Sequence, residues 1–97
     1  AVTIVWATRF DLNNPGQIVE WDQVFDQVDY PWSLTGVPGK MDFDNIAIHE
    51  LGHSLGLDDL YDTSCSSQTM FGYADYGETS KQTLESGDID GLNSLYP

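Results

Sequence analysis

Four side chains in one short stretch have the types and the spacing of a metal-dependent site. The stretch HELGHSLGLDD, residues 49–59, contains both histidines of the chain. Residues four apart on a helix lie on the same side, so His49 and His53 can present two imidazole nitrogens to one ion. Glu50 lies one step around the helix and can reach a water molecule beside the ion without binding the ion itself. The pattern therefore separates two metal ligands from one acid–base group.

Asp59 is the predicted third ligand. Gly56 stands where a helix often ends in a left-handed turn, and a chain that turns there can bring residue 59 back toward the ion. Two nitrogens and a carboxylate oxygen suit zinc and leave its fourth position for water. Asp58 and Asp62 lie close enough in sequence to be alternatives, and we prefer Asp59.

Such a site is suited to the hydrolysis of peptide bonds. Zinc lowers the pKa of a bound water to about 7 and polarises a carbonyl group, and a carboxylate such as Glu50 can pass the proton to the leaving amine. The alternative is a non-catalytic, metal-stapled binding or surface module. A structural site usually has four protein ligands. This stretch offers three with Glu50 beside them, so we favour an enzyme.

Two β-strands are predicted ahead of the metal-binding stretch. The segment VTIVWATR, residues 2–9, is rich in β-branched and aromatic side chains, and DLNNPG, residues 11–16, favours a turn. In IVEWDQVF, residues 18–25, the apolar Val19, Trp21 and Phe25 alternate with polar residues. We expect an antiparallel hairpin with these three side chains on its half-buried face, followed by a loop over residues 29–40.

The metal-binding helix is predicted to begin at Asp44, as N-cap, and to end at Gly56. Its apolar stripe, Ile48, Leu51 and Leu55, should face a core.

Residues 57–82 show no period and are expected to be irregular. A last helix is predicted in ESGDIDGLNSLYP, residues 85–97, with Ser86 as N-cap and Asp88 near the positive end of the helix dipole. The apolar residues at helical spacing are Ile89, Leu92, Leu95 and Tyr96.

The composition narrows the choice of partners. Sixteen acidic residues against three basic ones give a net charge of −13. Phosphate backbones are repelled by such a surface, so no nucleic-acid partner and no anionic membrane partner is expected. No apolar run approaches the ~20 residues of a membrane helix. Calcium is left open by the acidity, although no regular calcium loop is found. Cys65 is the only cysteine and assigns no compartment.

The same residues resemble a known clan of zinc peptidases, the metzincins. Their signature is H-E-x-x-H-x-x-G-x-x-H, or the same string ending in Asp as in the snapalysins, and residues 49–59 match the second form. Within the clan the chain looks most like the microbial matrixins, because HELGHSLGLD and the closing GDIDGLNSLYP are both similar to matrixin sequence. The resemblance also implies that Met70, in TMFGY, forms the turn beneath the metal.

This resemblance implies a secreted zinc metalloendopeptidase that acts on protein or peptide substrates. The implied fold is α+β and zincin-like: a hairpin from the active-site sheet, the active-site helix, an irregular Met-turn segment and a C-terminal helix. It implies that VTIVWATRF is the edge strand along which substrate lies and that FGYADY, residues 71–76, forms the wall of the main pocket. Tyr73 comes one residue too late for the ligand tyrosine of astacins and is assigned no metal role.

The resemblance also bears on domain organisation. Residues 1–97 are expected to form a single matrixin-like catalytic domain from which the N-terminal strands and helix of that domain are absent. The stripe Ile48, Leu51 and Leu55 would then lack part of its cover, and a missing segment or a second chain would be expected to supply it.

Overall fold

The elements follow one another in the order expected for the predicted α+β fold, which is confirmed. The computed structural model describes residues 1–8 and 16–97. The strands are β1 (Val2–Ala7), β2 (Ile18–Val24), β3 (Trp32–Ser33) and β4 (Met41–Asp42). The helices are α1 (Phe43–Ser54) and α2 (Ser86–Leu95), and two short 3-10 helices lie between them at Thr63–Cys65 and Ser80–Gln82.

The predicted antiparallel hairpin is confirmed, with Val5 of β1 opposite Trp21 of β2. The end of the predicted first strand at Arg9 and most of the predicted turn lie outside the described residues. The predicted burial is wrong at two positions, because Val19 is 65% and Trp21 44% exposed. Among the described residues β1 and β2 form a two-stranded sheet, so no third strand extends it.

Phe25, the third residue of the predicted face, is half-buried just after β2. Its ring centroid lies 4.8 Å from that of Phe43 and 5.6 Å from that of Trp32. This aromatic cluster joins the hairpin to the start of α1. Trp32 belongs to β3, which pairs in parallel with β4, so the predicted loop over residues 29–40 contains one two-residue strand.

Helix α1 begins two residues earlier than predicted. The N-cap is Asp42, not Asp44, because Oδ1 of Asp42 accepts a hydrogen bond from the backbone N–H of Asn45 at 2.9 Å. Asp42 also accepts from Gly36 N at 3.0 Å and from Gln82 Nε2 at 2.7 Å. These extra donors explain why the buried Asp42, and not the exposed Asp44, caps the helix.

The apolar stripe of α1 is not the side of the helix that is most buried. Leu51 and Leu55 are 42% and 43% exposed, so the core contact predicted for the stripe covers only part of it. With Ile48, and with Leu84 and Leu92 from the C-terminal region, they line a cavity of ≈130 Å³. The buried side chains of α1 are mainly polar and include Asn45, His49 and Glu50.

The C-terminal helix is confirmed, with a shifted cap. Its N-cap is Glu85 in place of the predicted Ser86. Asp88 lies in the first turn, as predicted, and accepts a hydrogen bond from the N–H of Glu85 at 2.9 Å. Ile89 and Leu95 are 46% and 49% exposed, so their stripe is largely uncovered.

The segment between the helices is irregular, as predicted, apart from the two 3-10 helices and a single bridge between Leu60 and Phe71. No helix in the described part of the chain is long and apolar enough to cross a membrane.

Candidate metal centre

The structure brings His49, His53 and Asp59 to one point. Nε2 of His49 lies 3.0 Å and Nε2 of His53 lies 3.3 Å from Oδ1 of Asp59, and the two Nε2 atoms are 3.2 Å apart. Ligand atoms about 2.0–2.1 Å from a tetrahedral zinc ion are separated by about 3.3 Å. These three residues therefore fit a zinc ion, and they form the one such ligand group found in the described residues.

Both imidazole rings are held by their other nitrogen. Nδ1 of His49 lies 2.7 Å from the carbonyl oxygen of Thr69, and Nδ1 of His53 lies 2.7 Å from that of Leu57. A carbonyl oxygen only accepts, so each Nδ1 carries a proton, and Nε2 of the neutral ring can then bind an ion. Hydrogen bonds of this kind orient metal-binding histidines and fix their tautomer.

The turn after α1 brings the chain back to the site. Gly56 has a φ of 96°, which is the left-handed conformation predicted for it. The N–H of Gly56 donates to His53 O and that of Leu57 to Gly52 O, both at 3.0 Å, which is a Schellman motif. This turn places Leu57 O beside His53 and leaves two residues to reach Asp59.

The carboxylate of Asp59 has different neighbours at its two oxygens. Oδ1 faces the histidines, while Oδ2 accepts a hydrogen bond from the hydroxyl of Tyr61 at 3.2 Å. The negative charge of Asp59 raises the pKa of Tyr61, so the phenol is protonated at neutral pH and is the donor. Of the alternative ligands, Asp58 is exposed, and Asp62 caps the first 3-10 helix by accepting from Ser64 N at 2.9 Å.

The backbone that holds His49 is itself fixed by Asp88. The Asp88 carboxylate is 2% exposed and accepts from the N–H of Thr69 at 2.8 Å and of Met70 at 3.2 Å. Because Asp88 also caps α2, one carboxylate joins that helix to the segment beneath the metal site. The support of His49 thus extends from Thr69 to the C-terminal helix.

Met70, for which the sequence resemblance predicts a Met-turn, packs against α1. It is 3% exposed and packs on Gly52, at which an added Cβ would overlap the Met70 sulfur. Gly52 therefore permits the close approach of this segment to the helix. Such packing keeps the carbonyl of Thr69, one residue earlier, within reach of His49.

Glu50 lines the same cleft as His49, His53 and Asp59 and is 6% exposed. The hydroxyl of Thr3 in β1 lies 2.5 Å from Oε2 of Glu50 and 3.0 Å from its carbonyl oxygen. Thr3 therefore joins the hairpin to the acid–base group. Glu50 borders a cleft of ≈580 Å³ along β1 and an adjacent cavity of ≈400 Å³, and His49 lines both.

Residues 71–76 line the ≈400 Å³ cavity. Lys81 also borders it and is 1% exposed. Its Nζ donates to Tyr73 O at 2.8 Å and pairs with the carboxylate of Glu78, while its backbone N–H donates to Asn45 Oδ1 at 2.7 Å. The hydrogen bonds of Asn45 with Lys81 and Glu78 join this cavity wall to the start of α1.

Sequence reasoning missed several supporting residues. Thr69 holds His49 through its backbone carbonyl oxygen, and every residue type has such an oxygen, so the sequence does not indicate this role. Thr3 and Tyr61 act through hydroxyl groups whose partners depend on the fold. Lys81 offered a weak signal, because it is one of only three basic residues in the chain.

Comparison with known proteins gives a consistent set of relatives. The family model described as matrixin matches residues 7–97. Matrix metalloproteinase-16 of Homo sapiens is 36% identical over 84 residues, which is 84% of this chain and 13% of that protein. Neutrophil collagenase of Homo sapiens is 34% identical over 82 residues, which is 84% of this chain and 16% of that protein. The chain thus spans a small part of these relatives. No solved structure gives a significant match to this chain.

Proposed function

The chain belongs to the matrixin family, and from this premise we propose that it is a zinc-dependent endopeptidase. His49, His53 and Asp59 hold the ion, and Glu50 is the acid–base group. The observation that carries the proposal is the convergence of three ligand atoms at mutual distances of 3.0–3.3 Å in a cleft that the buried Glu50 also lines.

A bound zinc ion would polarise the scissile carbonyl group and stabilise the charge that develops on its oxygen. The protein's own contribution is proton transfer. The carboxylate of Glu50 accepts a proton from the attacking water and then donates it to the nitrogen of the departing amine. Thr3 supports this role, because its hydroxyl contacts Oε2 at 2.5 Å and so restricts the rotation of the Glu50 side chain.

The cleft along β1 supports a substrate bound in extended form. Ala1, Val2, Thr3 and Val5 line one side of it, and the metal ligands line the other. An extended peptide can add to a strand by backbone hydrogen bonds while pockets select its side chains. The cavity bordered by Phe71 and Tyr76 is the pocket that we assign to one substrate side chain.

The wider setting belongs to the same proposal. We assign residues 1–97 to one matrixin-like catalytic domain and place the enzyme outside the cell, as the family resemblance implies. Protein or peptide is the substrate class. Calcium stays a prediction, with no site assigned to it.

The test measures zinc content and cleavage of casein on the same samples. Glu50→Ala should keep one zinc ion per chain, because all three ligands remain, and lose about 10²–10⁴-fold in cleavage rate. Glu20→Ala, an exposed glutamate of β2, is the matched control and should behave as the parent.

Asp59→Ala completes the experiment. It should lose or loosen zinc together with activity, because two nitrogens alone remain as ligands. A Glu50→Ala variant as active as the parent would remove Glu50 from the mechanism. A parent that holds zinc and cuts no peptide would favour the metal-stapled binding module in place of the enzyme.

A further inference from the structure

Each of the three predicted ligand side chains has one hydrogen-bond partner at the atom that does not face the other two ligands. The two histidines use backbone carbonyl groups, whereas Asp59 uses the side chain of Tyr61. We propose that Tyr61 is a positioning residue for the third ligand: its hydroxyl holds Oδ2 of Asp59 and leaves Oδ1 alone to bind the ion. This inference rests on the proposed zinc site.

The chemistry of a carboxylate explains why such a residue is needed. An imidazole ring bound through Nε2 has one ligand atom, and its Nδ1 hydrogen bond fixes its orientation. A carboxylate has two equivalent oxygens and rotates about one bond, so both oxygens can approach the same ion. Binding through both would occupy the fourth position that zinc needs for water. A hydrogen-bond donor on Oδ2 favours binding through Oδ1 only.

The backbone of Tyr61 is anchored to the segment that contains Met70. The N–H of Leu60 donates to Met70 O at 2.8 Å, and the N–H of Gly72 donates to Leu60 O at 2.7 Å. These bonds form the single bridge between the two segments and place residue 61 beside the metal ligands. The phenol is therefore carried on a fixed piece of backbone.

The ring of Tyr61 is held by close contact as well. A Cβ added at Gly72 would overlap the Tyr61 ring, so this approach requires glycine at position 72. On its other side the ring meets that of Tyr73, with centroids 5.4 Å apart at an interplanar angle of 64°. Gly72 and Tyr73 thus set the direction in which the Tyr61 hydroxyl points.

The decisive variant is Tyr61→Phe, which removes the hydroxyl and keeps the ring in its place on Gly72. Zinc affinity is measured by competition with a chromophoric chelator, and circular dichroism checks that the fold is retained. Loss of a hydrogen bond to a metal ligand typically weakens metal binding about 10–100-fold. Tyr61 is 57% exposed, so we expect the lower end, about tenfold. Tyr30→Phe, at a tyrosine that is 44% exposed and contacts no metal ligand, is the control and should keep the parent's zinc affinity.

A double-mutant cycle separates positioning of Asp59 from any other effect of the phenol. In an Asp59→Ala background there is no carboxylate to hold, so Tyr61→Phe should not weaken zinc binding further. Cobalt substituted for zinc gives a second readout, because its visible absorption weakens as coordination rises from four to five. Tyr61→Phe should shift the cobalt spectrum in that direction, and Tyr30→Phe should not.

Two results would overturn the inference: parent-like zinc affinity in Tyr61→Phe, or an equal loss with and without Asp59. A parent that binds no zinc overturns the inference together with the metal site. A parent that binds zinc but cleaves nothing counts against the proposed enzyme alone. In that case the zinc affinity of Tyr61→Phe relative to the parent still decides whether Tyr61 positions Asp59.

Discussion

The buried polar network and the exposed apolar surface of this protein stand in contrast. The polar network comprises Asp42, Asn45, Thr69, Lys81 and Asp88, each at most 2% exposed. The apolar surface comprises Val19, Trp21, Leu51, Leu55 and Ile89, each at least 42% exposed. Among the described residues, Ile46 and Met70 are the hydrophobic side chains classed as buried. The geometry of the metal site is therefore maintained mainly by directed hydrogen bonds.

This difference determines where substitutions should matter. A buried donor or acceptor that loses its partner pays the full cost of its desolvation, whereas an exposed apolar side chain has little burial to lose. We therefore expect changes in the polar network to reach the metal site. Changes on the apolar surface should leave both stability and the site nearly unaltered.

The largest effect should come from Asp88→Ala. The variant leaves three backbone N–H groups, those of Thr69, Met70 and Glu85, without their acceptor. At about 1–3 kcal/mol for each buried group left unpaired, we expect the free energy of unfolding to fall by about 3 kcal/mol or more. Urea denaturation measures it, and zinc affinity should fall as well.

Asp90→Ala is the matched control for Asp88, because Asp90 is an exposed acid on the same helix. It should change the free energy of unfolding by less than about 0.5 kcal/mol. If Asp88→Ala and Asp90→Ala lower the free energy of unfolding equally, the buried polar network does not contribute more to stability than the exposed surface.

Thr3→Val tests the point where the hairpin reaches the site. The substitution keeps the β-branched shape and removes the hydroxyl that contacts Oε2 of Glu50. A hydrogen bond to a charged group is worth about 1.5–3 kcal/mol, so we expect kcat to fall about tenfold or more, with zinc content and KM unchanged. Thr3→Ser, which restores the donor, should restore the rate. A fully active valine variant would exclude a role for this contact.

Acid should weaken the polar network through Asp42. Burial raises the pKa of Asp42, but its hydrogen bonds from Asn45 N, Gln82 Nε2 and Gly36 N outweigh burial and leave the pKa below the usual value. A lowered pKa in the folded state stabilises the fold above the unfolded pKa of about 3.9, and this contribution is lost as the pH falls through the folded pKa.

The measurement for Asp42 is urea denaturation between pH 7 and pH 3. The stability advantage of the parent over Asp42→Asn should be largest near pH 7 and shrink below about pH 4. A constant difference over this range would show that the charge of Asp42 does not contribute to stability.

The smallest effect is expected on the apolar surface. Val19→Thr alters a side chain that is 65% exposed and should change the free energy of unfolding by less than about 0.5 kcal/mol. Ile46→Val removes one methylene from a side chain that is 8% exposed and should cost about 0.5–1.5 kcal/mol. A larger cost at Val19 would mean that its exposed surface is covered in solution.

The two regions also differ in how well the sequence predicts them. Strands, helices and the turn at Gly56 can be predicted because period and glycine placement are local signals. The predicted helix caps, Asp44 and Ser86, are wrong. At α1 the choice of Asp42 depends on a distant donor, Gln82, and at α2 it depends on the local pairing of Glu85 with Asp88. The predicted burial of Trp21 is wrong because alternation shows which residues share a face and does not show what covers it.

The ligand group illustrates the same limit. The spacing of His49, His53 and Asp59 is a property of one helix and one turn, so it can be recognised within eleven consecutive residues. The carbonyl of Thr69 and the carboxylate of Asp88 come from segments that meet only in three dimensions. Local pattern thus predicts the residues that bind, and tertiary structure supplies those that orient them.

The bond between Asp88 and the segment beneath the metal has a consequence for the order of events during synthesis. His49 leaves the ribosome before Asp88, so the residues of the helix that carries two ligands emerge before their support is complete. Until residue 88 emerges, the N–H groups of Thr69 and Met70 have no carboxylate to hold them. A nascent chain that stops short of this residue should bind zinc loosely, and completion of α2 should be the step that commits the ion to its site.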